Sequence, residues 1–286
     1  MLRVGAVSYL NTKPLICGLR ERLGSWGKLQ LNLPSRLADD LRAGLLDVAL
    51  IPSIEYFRGP ASTEKVMTTS TTSAYRIVSD AVIACRGPVW SVRLLSRVPV
   101  KQIKTLALDE GSRTSVAMVK VLLAEIHGLH PVTIPLGIEQ TPDAVAADAV
   151  LLIGDRAMHP ERGVYREIWD LGDRWCRWTE LPFVFAMWVA RAGVDTGELT
   201  EMLQASRDEG EQTLDRIAAA EAGSHGLTQE DLLRYFVDNL HFRMGPGERN
   251  GLEAFRQRAS ALGLISEVPD QCIPENIFPE SPSHPS

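Results

Sequence analysis

Short apolar runs, each ended by a polar cluster and followed by apolar residues at three- and four-residue spacing, set the rhythm of this chain. That rhythm predicts strands alternating with helices, an α/β fold built on parallel strands. The first instance opens the chain: Val4-Gly5-Ala6-Val7 reads as a buried strand, Ser8 to Thr12 as a polar loop, and Pro14 as part of the first turn of a helix. A helix start carries free amides and the positive end of the helix dipole, so this loop is an expected anion seat. The competing reading is a plain connection.

Leu29 to Leu33 reads as a second strand and Pro34 to Ala43 as a helix ended by Gly44. Leu46 to Ile51 is a third strand stopped at Pro52, with Ser53 expected to cap a short helix through Phe57. A Ser/Thr-rich piece, Thr68 to Ser73, precedes the β-prone run Tyr75 to Cys85, which is expected to lead across Arg86-Gly87-Pro88 into a second lobe. There the opening pattern returns: Thr105 to Leu108 as strand, Asp109 to Ser115 as polar loop, Val116 to His127 as helix. Asp148 to Asp155 echoes Asp47 to Ser53, and 36 residues separate Asn11 from Asp47 as they separate Ser112 from Asp148. Identity between the halves is too low for a strict repeat. Leu181 to Ala190 is expected to return to the first lobe. Helical spacing follows, with Leu232, Tyr235, Phe236 and Leu240 read as packing residues.

The expected organisation is therefore two α/β lobes, 1–85 with 186–268 and 86–185, followed by a flexible proline-rich tail, 269–286. The strand ends of the two lobes are expected to face each other across a cleft. A length of 286 residues, 45% of them hydrophobic, suffices for two such lobes. The net charge of −6 without a basic block argues against nucleic-acid or membrane-surface binding. Cys17, Cys85, Cys176 and Cys272 are too scattered for a zinc site and read as reduced thiols, so no metal is expected. No signal peptide or membrane span is legible at the start, and the expected location is the cytoplasm.

Within the loops, Ser112-Arg113-Thr114-Ser115 is the sharpest chemical signal. Hydroxyls, helix-start amides and a guanidinium make a carboxylate or phosphate seat, with Arg113 expected to bind it bidentately. The alternative is a capped helix with a solvated arginine. Glu55 and Asp155 are candidate acids or bases, though carboxylates at helix starts are also ordinary dipole partners. The histidines, His225 among them, read as helix-end or surface residues. Trp169, Trp175, Trp178 and Trp188 read as packing residues.

Six segments in series, Gly5 to Leu15, Asp47 to Tyr56, Gly87 to Val92, Ser112 to Ser115, Leu152 to Asp155 and Leu181 to Ala186, resemble the chorismate dehydratase family of the futalosine route to menaquinone. The resemblance implies a two-lobed fold like the type II periplasmic binding proteins, with a central cleft and two crossing strands. It also implies cofactor-free dehydration of chorismate to 3-[(1-carboxyvinyl)oxy]benzoate, a hydro-lyase reaction. The sister enzyme, a cyclic dehypoxanthine futalosine cyclase, differs at the opening loop, and Ser8-Tyr9-Leu10-Asn11-Thr12 favours the dehydratase. A binding protein for a small dicarboxylate is the rival from another class. One departure stands at Glu180, where the pattern expects glycine.

Carried onto these motifs, Asn11 is the expected catalytic residue. The expected substrate contacts are Ser8, Tyr9, Thr12, Pro52, Ser53, Ser91, Ser112, Arg113, Thr114, Ser115, Gly154 and Asp155. Glu55, Asp109 or Asp155 acting as base would add negative charge beside a dianion. The preferred acceptor of the proton is the substrate's own enolpyruvyl carboxylate, with Asn11 holding it or the leaving hydroxyl in place.

Overall fold

The opening run forms β1 (Leu2–Val7), buried from Val4 onward. It leads into a 3-10 helix, Leu10–Ile16, rather than an α-helix with proline in its first turn. Pro14 lies inside this helix, where its missing amide and its ring would break an α-helical turn, and the tighter coil accommodates it. The computed structural model describes residues 1–60, 75–159 and 164–265. Thr68 to Ser73, Cys272 and the tail 269–286 lie outside the described residues.

After α1 (Leu19–Leu23), β2 (Gly27–Asn32) pairs parallel with β1. The helix α2 (Pro34–Arg42) ends at Gly44, which turns the chain at φ +74° into β3 (Val48–Pro52), also parallel to β1. Next come α3 (Ser53–Arg58) and β4 (Arg76–Cys85). Ser53 is the first helical residue of α3 and makes no side-chain cap, contrary to expectation; its hydroxyl donates to Val184 O at 2.8 Å. Across the first crossing lie β5 (Val92–Ser96), β6 (Thr105–Asp109), α4 (Thr114–His127), β7 (Val132–Leu136), β8 (Ala149–Ile153), β9 (Glu167–Asp170) and α5 (Leu171–Thr179). The chain then returns through β10 (Phe183–Ala190) to α6 (Leu199–Gln212), α7 (Leu214–Glu221) and α8 (Gln229–Arg234). A π-helical turn, Tyr235–Asn239, continues α8 before β11 (His241–Arg243) and α9 (Pro246–Ala261).

Two sheets result, β2-β1-β3-β10-β4-β11 and β7-β6-β8-β5-β9. β1 in one sheet and β6 in the other lie between two parallel partners, and an antiparallel strand follows on one side, β10 beside β3 in the first and β5 beside β8 in the second. The echo between the halves is thus structural. Asp47 accepts from Arg3 N at the base of β1, and Asp148 accepts from Lys104 N and Thr105 N at the base of β6, all at 2.9 Å. Each aspartate fastens the start of the central parallel strand, β1 or β6, to the start of the strand beside it, β3 or β8.

The fold is the expected one, two α/β lobes with a cleft between them. The first strand of the return, β10, begins at Phe183, opposite Cys85 at the end of β4, so both crossings leave the same end of the first sheet. All of β10 pairs there, although the expected boundary fell at 186. Burial explains the uninterrupted apolar character of β8. Ala149, Leu151 and Ile153 face the main core, which runs through both lobes, while Val150 and Leu152 face a smaller core beyond the second sheet. Glu180 ends α5 in the left-handed region at φ 58°, with its amide bonded to Cys176 O. The turn expected of glycine is therefore present without glycine.

Candidate active site

A cavity of about 490 Å³ lies where the strand ends of the two lobes meet. Its walls include Tyr9, Asn11, Pro34 and Pro52 from the first lobe and Ser91, Ser112, Thr114, Ser115 and Gly154 from the second, with Phe185 and Ala186 of β10 between them. Among the described residues none that lines it carries a charge. Apolar floor residues such as Val7, Ile83 and Ile153 leave the amide and the hydroxyls as the polar groups facing the space.

The sequence places Asn11 here because β1 ends at Val7 and the 3-10 helix starts at Leu10, which puts residue 11 on the first turn facing the other lobe. Thr12, buried beneath it, donates to Asn11 Oδ1 at 3.3 Å and so orients the amide. On the opposite wall the 14-residue helix α4 presents its N-terminus, with Ser112 Oγ accepting from Ser115 N at 3.1 Å. Helix-start amides and three hydroxyls meet an amide across the cavity, an arrangement that stabilises negative charge without a cation.

Tyr9 is the deepest contact between the lobes. Its ring lies 3.1 Å from the point where a β-carbon on Gly154 would stand, and its hydroxyl 3.0 Å from the same point on Gly111. These two glycines form the socket that receives it. The Tyr9 hydroxyl is buried without a hydrogen-bond partner among the described residues. Burial, with Asp109 and Asp155 nearby, pushes its pKa well above the ordinary phenol value, so it remains a neutral phenol.

Five expected substrate contacts, Ser8, Thr12, Ser53, Arg113 and Asp155, are not among the residues that line the cavity. Arg113, expected to hold a carboxylate in the cleft, points out of it: Nη2 meets both Asp39 oxygens at 2.8 Å and Nη1 meets Glu55 at 3.1 Å. The arginine of one lobe is thus paired with acids of the other, because two carboxylates of α2 and α3 are closer to it than the cavity is. Asp155 occupies the seat at the start of the 3-10 helix itself. Its Oδ1 accepts from Leu10 N at 3.3 Å and its Oδ2 lies 3.3 Å from His225 Nε2. The protein's own carboxylate therefore fills the seat assigned to a ligand anion, and burial raises its pKa. Ser8 is exposed, its amide bonded to Asn32 O.

The candidate bases are similarly committed. Glu55, 1% exposed, is held by Arg42, Arg58 and Arg113. Asp109 is buried, with Oδ1 accepting from Gly111 N at 2.9 Å and Oδ2 3.6 Å from Arg156; burial raises its pKa. Ser53 and Thr114 meet at 3.4 Å across the lobes, and Ile54 N donates to Thr114 Oγ1 at 3.3 Å, so this threonine both lines the cavity and fastens the lobes.

The chain matches a family model described as menaquinone biosynthesis over residues 2–261. The chain belongs to this menaquinone biosynthesis family. It is 32% identical to the chorismate dehydratase of Thermus thermophilus over 282 residues, covering 91% of this chain and 95% of that protein. A crystallised protein of Archaeoglobus fulgidus shares the fold, with a TM-score of 0.69 at 17% identity over 92% of this chain and 98% of that one. So does the periplasmic aliphatic sulphonate binding protein of Escherichia coli, with a TM-score of 0.56 at 13% identity over 92% of this chain and 88% of that one. Family membership and fold thus agree with the resemblance read from the sequence.

In this family member the sequence reading missed two residues beside the cavity. Tyr235 donates to Ser91 Oγ at 2.9 Å. His225, read as a surface residue, pairs with Asp155 across the lobes. Trp90, between them and the crossing, stands in the left-handed region at φ 63°. Its strain is held by Asp170, whose carboxylate accepts from Val89 N at 2.9 Å and Trp90 N at 2.6 Å. The Cys17, Cys85 and Cys176 thiols are free. Among the described residues no cluster of three or more His, Cys, Asp or Glu is placed to hold a metal ion, and no helix is long and apolar enough to cross a membrane.

Proposed function

We propose that this protein is a chorismate dehydratase, a hydro-lyase of the futalosine route to menaquinone that works in the cytoplasm on a free small molecule. The observation that carries the reading is a cavity whose polar lining is an amide and hydroxyls, with no carboxylate or cationic side chain among the described residues that line it. The near full-length likeness to a dehydratase supports the choice of substrate.

Chorismate brings two carboxylates. The α4 N-terminus and the hydroxyls of Ser112, Thr114 and Ser115 suit one of them, and Asn11 suits the other or the hydroxyl that leaves. The proton on the ether-bearing ring carbon is acidified by conjugation to the ring carboxylate, and the neighbouring enolpyruvyl carboxylate is positioned to take it. The C–H electron pair moves into the ring as a delocalised dienolate. Loss of the adjacent C–O bond then makes the ring aromatic, and the proton returns to the departing oxygen to give water. Such chemistry asks the protein for orientation and for donors that follow the moving charge, and excluding a protein carboxylate avoids repulsion of the dianion.

Incubation of the purified protein with chorismate, followed by absorbance and mass spectrometry, tests this reading. The expected result is stoichiometric appearance of the aromatic ether and water. Binding without turnover would instead indicate a dicarboxylate-binding protein, and turnover of cyclic dehypoxanthine futalosine the sister cyclase.

A further inference from the structure

The π-helical turn Tyr235–Asn239 holds the loop that brings Ser91 to the cavity wall at two points. Tyr235 donates to Ser91 Oγ at 2.9 Å, and Asn239 Nδ2 donates to Pro88 O at 3.0 Å. Both ends of the 88–91 loop are therefore held by side chains four residues apart. The Tyr235 ring also packs edge-on against Trp90 at 5.5 Å, and Trp90 is the residue whose strained backbone turns Ser91 into the cavity. The loop belongs to the second lobe and the π turn to the helices that follow the first.

Hydrogen-bond arithmetic gives the contact a direction. Tyr235 is fully buried, and burial together with the nearby Asp155 and Asp170 raises its pKa well above the ordinary phenol value, so it keeps its proton and donates. Ser91 Oγ is then an acceptor on that side and retains its own proton. Among the described residues that proton is offered only Val89 O at 3.4 Å, too long for a good O–H···O bond. A serine so arranged has a hydrogen to give to whatever occupies the cavity. On the other side, Thr12 donates to Asn11 Oδ1, and Asn11 lines the same cavity.

We infer that Tyr235 is a positioning residue for the reaction: its phenol holds Ser91 Oγ and fixes the Ser91 hydroxyl as a hydrogen-bond donor to the bound dianion, on the side of the leaving oxygen. Tyr235 itself does not touch the substrate. The inference rests on the dehydratase reading of the cavity. It adds an obligatory link between helices outside the two sheets and the chemistry inside the cleft.

Steady-state kinetics with chorismate of the parent, Tyr235→Phe, Ser91→Ala and the double variant, with thermal unfolding of each, tests it. The phenylalanine keeps the ring against Trp90. The expected result is a fall in kcat of roughly tenfold or more for each single variant, with KM changed by less than about threefold and a double variant no slower than the slower single one. Parental kcat in either folded single variant, or losses that multiply in the double variant, would overturn the inference while leaving the dehydratase reading intact. A parent protein that does not convert chorismate would overturn that reading and this inference with it.

Discussion

The ring of Tyr9, on the first lobe, lies 3.1 Å from the position a β-carbon would take on Gly154 of the second. The cavity is shaped by this insertion, since the same side chain forms one wall and fastens the lobes. Gly154 also sits at φ +61°, so its replacement adds backbone strain to the clash, whereas Gly111 shows no positive φ and meets the Tyr9 hydroxyl at 3.0 Å. Gly111→Ala is expected to lower kcat/KM at least about tenfold with the fold retained, and Tyr9→Phe, by removing the oxygen in the way, to restore part of that loss. Kinetics and small-angle scattering of the single and double variants check it.

Arg113 joins the two lobes through Asp39 and Glu55. Replacing it with methionine is expected to raise KM with less than about a tenfold loss in kcat/KM, where an arginine holding a substrate carboxylate would cost far more. Glu55→Gln removes the shared partner of three arginines and is expected to destabilise the fold by about 3 kcal/mol, read from denaturant unfolding.

Asp47 and Asp148 carry the acid sensitivity of the two lobes. Hydrogen bonding to Arg3 and to the Lys104 and Thr105 amides, respectively, holds each carboxyl below its ordinary range. A carboxyl with a depressed folded pKa contributes stability above the unfolded pKa of about 3.9 and loses it as pH falls through the folded value. Melting temperature is therefore expected to drop below about pH 4. Asp148→Asn is expected to lower it at pH 7 by roughly 2–4 °C and to flatten the acid limb.

Much of this was legible in the chain because period and burial coincide. Ala149 to Ile153 is apolar throughout because it is covered on both faces, and Asp47 and Asp148 stand at matching places because the two sheets share one plan. What escaped was contact across long separations. Arg113 beside three hydroxyls reads identically whether it faces a ligand or Asp39, which lies 74 residues earlier. Asp155 was rightly placed at a strand end, yet nothing local tells that the helix start it reaches is that of Leu10. Tyr235 has the spacing of a core residue and is one; its hydroxyl finds Ser91 144 residues away.

Glu180 departs from the expected glycine yet keeps the turn, at φ 58°. A non-glycine residue there carries strain of about 1 kcal/mol. Glu180→Gly is expected to raise stability by about 0.5–1 kcal/mol, offset in part by chain entropy, with unchanged kcat. Chemical denaturation measures it.

The central claim, that the protein supplies orientation and the substrate supplies the base, is tested by comparing chorismate turnover in Asn11→Ala with that in Asp109→Asn and Asp155→Asn, each checked for folding. The account predicts that Asn11→Ala loses roughly a hundredfold or more in kcat, while the two asparagine variants keep kcat within about tenfold of the parent. Parental turnover in Asn11→Ala, with activity abolished in a folded Asp109→Asn or Asp155→Asn, would contradict it.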